Sequence, residues 1–142
     1  KLSLSSLYNL HTIRDRAMNE RVWLKHGGYL VIQPTEALTV IDVNSGKCVS
    51  KKKTPETYLK LNLEAAQEIA KQLRLRNISG IILVDFINMD DDELMQQLIK
   101  EMRILCSKDP VQTTVVDVTE LQLMEITRKK VRKPLYECWR KR

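Results

Sequence analysis

Sulfur and imidazole are scarce in this chain. Its 142 residues include three cysteines, Cys48, Cys106 and Cys138, and two histidines, His11 and His26. The cysteines are far apart, odd in number and form no Cys-x-x-Cys, so neither a zinc site nor a disulfide framework is expected. A reducing cytoplasm suits them best. Aromatic residues make up only 5%, so Trp23 is expected to anchor in the core. Trp23 and Trp139 nevertheless carry the ring type that stacks on bases. No apolar run approaches the roughly 18–20 residues needed to cross a bilayer, and no membrane span is expected. The first 25 residues mix charges through their apolar positions, unlike a signal peptide. A start at Lys1 rather than Met points to a piece of a longer polypeptide.

What is present suits one globular domain: 43% of residues are hydrophobic and 30% charged, enough to bury a real core. The net charge of +6 is unevenly placed. Residues 128–142 hold eight basic side chains and one acid, which leaves the remainder slightly acidic. Such an end is either a solvated helix face or the electrostatic footprint of a phosphate-bearing partner. Charge alone does not choose between them.

Residues 4–19 read as a helix, followed by a short apolar stretch at 21–25 and a break at Gly27 and Gly28. Strands are expected at 29–32 and 37–41, close enough to form an antiparallel hairpin. A lysine-rich loop runs to Lys53, after which Thr54 and Pro55 supply an N-cap and a first-turn proline. Leu59, Leu63, Ala66, Ala70 and Leu73 then form one helical stripe, ending near Arg76. The apolar run 81–84 predicts a strand covered on both faces. A second helix starts within the acids at 90–93, with Leu94, Leu98, Met102 and Leu105 as its stripe. Strands are expected at 113–118 and about 121–127, and a helix at the basic end. Strands alternating with amphipathic helices predict an α/β fold, a mixed β-sheet flanked by helices. The single domain divides into a lead-in at 1–26, a core at 27–132 and a basic end at 133–142.

Two acids follow apolar strands directly: Asp42 after 38–41 and Asp85 after 81–84. Each carboxylate would sit at the sheet edge, partly dehydrated. On neighbouring strands the two would converge and repel unless a cation lay between them. Mg²⁺ prefers oxygen ligands and keeps several waters, so two carboxylates and a substrate phosphate suit it. Asn44 lies two residues beyond Asp42, on the same face if the strand continues. The plainer reading is that each Asp merely ends a strand. Asp117 is a third acid of similar kind, set inside its strand.

The stretch GGYLVIQPTEALTVIDVNSG at 27–46 resembles the signature of the ribonuclease E/G family. NLEAAQEIAKQLRLR at 62–76, GIILVDFINM at 80–89 and ELQLMEITRKKVR at 120–132 resemble its other blocks, in order and at similar spacing. The resemblance implies that family's deoxyribonuclease I-like catalytic subdomain. It implies Asp42 and Asp85 as metal ligands and Asn44 as support for the ion, all three catalytic. It further implies a Mg²⁺ ion, replaceable by Mn²⁺, and cleavage of single-stranded RNA to 5′-phosphate and 3′-hydroxyl ends in RNA processing and decay. A homo-oligomer is implied for the full-length protein. Lys47, Lys51, Lys52 and Lys53 after the metal residues, and Arg128, Lys129, Lys130 and Arg132 in the basic run, are the expected RNA contacts. The alternative is a non-catalytic RNA-binding or subunit-assembly module that uses the basic end. Two departures from the family pattern are His26 in place of serine and Gln122 in place of glycine. The family's S1-type domain, 5′-end sensing segment and zinc link have no counterpart in these residues.

Overall fold

Period-two burial marks the strands. In β2 (Tyr29–Pro34) Leu30 and Ile32 are buried between more exposed neighbours, and in β3 (Leu38–Asn44) Ile41 and Val43 flank the exposed Asp42. The remaining strands are β1 (Arg21–Trp23), β4 (Gly80–Asp85), β5 (Thr113–Val118) and β6 (Leu123–Arg128), with helices α1 (Pro55–Leu75) and α2 (Asp92–Ser107). The computed structural model describes residues 20–46 and 54–131. The expected helix at 4–19, the lysine loop at 47–53 and the basic end from 132 onward lie outside them.

Both helices begin as their sequences dictate. The Thr54 hydroxyl accepts the Thr57 N–H at 3.2 Å, with Pro55 in the first turn. Asp91 Oδ1 accepts from the N–H groups of Glu93 and Leu94 at 2.9 and 3.2 Å, which satisfies donors that have no partner within the helix. The buried face of α1 is wider than the expected stripe. Leu63 is only partly covered, whereas Asn62, Ala65 and Ile69 are fully buried.

The six strands form one mixed sheet in the order β1-β2-β3-β4-β6-β5. The β2–β3 hairpin is antiparallel, as expected, and β3 runs parallel to β4. Leu30, Ile32, Ile41, Val43, Ile82, Val84, Val115, Met124 and Ile126 face both helices in one core cluster. The opposite sheet face is open among the described residues. Here the structure departs from the expectation for 81–84: Ile82 and Val84 are completely buried, but Ile81 is 48% exposed. Both helices lie on one side, so the uninterrupted apolar run belongs to a central strand covered on one face only.

One residue of the basic run is placed differently from expectation. Arg128, expected to contact RNA, ends β6 at 4% exposure with its guanidinium turned into the protein. Its Nε and Nη2 donate to the two Asp109 carboxylate oxygens at 2.9 and 3.3 Å, and its Nη1 donates to Asn77 Oδ1 and Ile78 O. One guanidinium thus ties together the turns that follow α1 and α2. Burial raises the Asp109 carboxyl, but hydrogen bonds from Arg128 and Val111, the Arg128 charge and the Thr113 hydroxyl together hold it below the usual range. Cys106 is a buried thiol nearby, pushed up to about 11 by burial and by the Asp109 charge, so it has little thiolate character at neutral pH.

The β5–β6 turn explains one departure. Thr119 exchanges backbone hydrogen bonds with Gln122 and Leu123, and Gln122 takes φ 67, where glycine carries no Cβ penalty.

Two stability predictions follow from these contacts. Arg128→Ala strands the buried Asp109 charge and should cost about 3–5 kcal/mol in denaturant unfolding at neutral pH. Because the folded Asp109 carboxyl sits below its unfolded value, that loss should shrink as pH falls through the folded value, where wild type also gives up the interaction. Gln122→Gly should raise stability by up to about 1 kcal/mol, read by the same titration.

Candidate metal centre

β3 and β4 are paired so that Ile41 lies opposite Val84 and Asp42 opposite Asp85. Ile41 and Val84 are fully buried under the helices, which turns the next residue of each strand to the open face. Parallel neighbours are about 5 Å apart at the backbone. Two carboxylates distant in sequence therefore share one small patch. Their electrostatics show it: the Asp42 carboxyl is raised by burial and then by the Asp85 charge, against a smaller downward pull from the Val43 N–H.

The sheet differs from expectation in one detail. Asp42 is inside β3, which continues to Asn44, whereas Asp85 is the last residue of β4. The continued strand keeps Asn44 on the same face as Asp42, and its Oδ1 accepts the Gly46 N–H at 2.8 Å. That hydrogen bond holds the carboxamide across the end of the strand. The turn before β2 packs directly against it: a Cβ at Gly28 would come within 2.9 Å of both Asn44 O and Leu61 Cδ1. Only glycine allows that approach.

Asp85 has its own support, from a residue that the sequence reading passed over. Asn62 is fully buried on α1, with Nδ2 donating to Ile87 O at 2.9 Å and Oδ1 accepting the Ile87 N–H at 3.0 Å. The carboxamide behaves as one more strand neighbour and fixes the backbone two residues beyond Asp85. A polar residue on the inner face of an amphipathic helix was the available signal.

The other expected contacts divide. Asp117 pairs with Glu125 on the far edge of the sheet, and its Oδ1 accepts the Val118 N–H at 2.7 Å. Two strand spacings, roughly 10 Å, separate it from Asp85 across β6, which removes it from the acid pair. Lys129 and Lys130 are exposed, but they follow Arg128, which pairs with Gly80 at the opposite end of β4 from Asp85. Roughly 17 Å of strand lies between. Lys47, Lys51, Lys52, Lys53 and Arg132 lie outside the described residues. Trp23 contradicts its expected place in the core, with 62% of its surface exposed.

Among the described residues no group of three His, Cys, Asp or Glu is arranged to hold an ion. The donors are two carboxylates and one amide oxygen, all hard. That set is too small for a cation stripped of water, and lacks the nitrogen or sulfur that zinc favours. It fits an ion that retains waters and takes phosphate oxygens to complete its shell, as Mg²⁺ does.

Residues 1–131 match the profile of the ribonuclease E/G family. Ribonuclease E of Synechocystis sp. is 44% identical over 138 residues, 97% of this chain and 20% of that protein. Ribonuclease E of Nostoc sp. is 47% identical over 132 residues, 93% of the chain and 19% of that protein. Ribonuclease G of Escherichia coli K12 is 40% identical over 129 residues, 91% of the chain and 26% of that protein. The chain thus spans only about a fifth to a quarter of the length of these relatives. No described helix is long and apolar enough to cross a membrane.

Neutralising either acid removes the repulsion while leaving the side-chain volume unchanged. Asp42→Asn should keep the fold and gain a few tenths to about 1 kcal/mol at neutral pH without divalent ions. Because the folded Asp42 carboxyl is raised, wild type recovers this difference at low pH and loses it as pH rises through the folded value. Urea unfolding at acid and neutral pH measures both limits.

Proposed function

The chain belongs to the ribonuclease E/G family, and from that membership we propose that it is the core of an endoribonuclease cutting single-stranded RNA, with Asp42 and Asp85 as ligands of Mg²⁺. The observation that carries the reading is the in-register pairing of Asp42 with Asp85 on an open sheet face. A surface that only gripped phosphates would be weakened by two facing carboxylates. With a cation between them, the same pair becomes a point where RNA phosphate is held.

The residues divide the work. Asp42 and Asp85 would hold the ion, which would offer a phosphodiester a positive partner over the centre of the sheet. Asn44 spends one lone pair of Oδ1 on the Gly46 N–H, which leaves its second lone pair for the ion and its Nδ2 hydrogens for a substrate oxygen. Asn62 and Gly28 hold the two strand ends at their separation. The bound ion supplies an activated water at neutral pH and offsets charge building on the phosphate oxygens. No histidine base is needed, in keeping with the two histidines of the chain. The products on this reading carry 5′-phosphate and 3′-hydroxyl ends, and Mn²⁺ replaces Mg²⁺ because it accepts the same hard donors. The whole protein acts in cytoplasmic RNA processing and decay as a homo-oligomer. The rival reading, an RNA grip built on the basic end, loses Arg128 to the core.

Cleavage of a single-stranded oligoribonucleotide by the complete protein tests the assignment. Asp42→Asn and Asp85→Asn should each lower the rate at least roughly a thousandfold, and EDTA should abolish cutting by wild type. In the present chain Mg²⁺ should raise Tm for wild type and leave Asp42→Asn unmoved. Cutting retained by either variant removes the metal role.

A further inference from the structure

The open sheet face carries more than acids. Trp23 lies opposite Tyr29, and Tyr29 opposite Asn44, in one rung of the sheet. Arg21 lies opposite Val31, Val31 opposite Asp42, and Asp42 opposite Asp85 in the next. Antiparallel partners point to the same side, so all of these side chains share the face that holds the acid pair. The Trp23 and Tyr29 rings sit 5.0 Å apart between centroids, tilted by 54°. The Arg21 guanidinium lies 4.4 Å from the Tyr29 ring centre and 5.8 Å from that of Trp23. With Tyr29 and Arg21 beside it, Trp23 keeps 62% of its surface exposed.

A large ring held this way is costly to leave in water. The Arg21 cation beside it suits a polyanion and stands two strand spacings from Asp42, about 10 Å, so the carboxylate does not cancel it. Tryptophan faces stack on any unpaired base, and a neighbouring arginine adds charge attraction to the strand. Two strand spacings separate Trp23 from Asn44, about 10 Å, so the ring stands beside the acid pair rather than within it.

We propose that Trp23, braced by Tyr29 and Arg21, is a stacking platform for an unpaired base of the RNA strand whose phosphate lies at Asp42 and Asp85. The proposal rests on the cleavage reading for the position of that base along the strand; the stacking itself does not depend on it. It favours single strands for a physical reason, since a base within a duplex has both faces already covered.

Tryptophan emission of the chain in a Trp139→Phe background, titrated in EDTA with a single-stranded oligoribonucleotide, reads the contact directly. The strand should quench Trp23, and the same sequence as a duplex should not. In the complete protein, again in EDTA, Trp23→Ala should weaken single-strand binding roughly five- to a hundredfold, and Trp23→Phe should recover most of it. An abasic site at the stacked nucleotide should weaken binding to wild type and add nothing in Trp23→Ala. Absence of quenching, unchanged affinity in Trp23→Ala, or additive abasic losses would overturn the platform. So would a drop in solution mass on Trp23→Ala with RNA binding intact, which would make the ring a contact between copies. With the ion removed, these outcomes leave the metal reading untouched, and retained cleavage by Asp42→Asn leaves the platform untouched.

Discussion

The parallel pairing of β3 with β4 decides the chemistry of the molecule, because it sets which side chains become neighbours. The pairing is not chosen by the two acids, which repel each other. It is chosen by the inner faces of the strands, where Ile41, Val43, Ile82 and Val84 must meet α1 and α2. A one-residue slip of either strand would turn its two apolar side chains to water and bury its carboxylate. Hydrophobic burial thus holds together a patch that its own electrostatics would push apart.

Around that register the structure places its polar side chains as braces. Asn62 lends its carboxamide to the backbone after Asp85, and Gly28 lets a turn press on the end of β3. Further away, the Arg128–Asp109 pair locks the last strand against both helix ends, with each side chain 3% exposed. None of these touches the open face. They fix the scaffold so that Asp42, Asn44 and Asp85 keep their spacing, and the open face is left to the acids, Asn44 and the aromatic cluster of Arg21, Trp23 and Tyr29. The membership of the ribonuclease E/G family fits this division, since the matching region includes both the braces and the face.

Sequence patterns at short range were legible. The two helix starts, the β2–β3 hairpin, the strands at 80–85 and 113–118 and the alternation of strands with helices could all be read from caps, periodicity and breaks. The acids could be singled out because each directly follows an apolar run. Two residues were misread for one reason: residue type suggests a partner without fixing a direction. Arg128 looked like a phosphate contact but lies on the inner face of β6, in alternation with Met124 and Ile126. Trp23 looked like core but alternates with the inward Val22.

By itself the sequence determined the elements, the residues able to carry chemistry and the kinship of the chain, because these depend on spacing along the polymer. Tertiary structure decided which strands are neighbours, in what register and which face stays uncovered. Those follow from the joint burial of apolar side chains contributed by distant segments, a quantity that no local stretch contains. For that reason Asp42 and Asp85 became one site only in the fold, while Asp117, equal to them in its local pattern, was left on the far edge of the sheet.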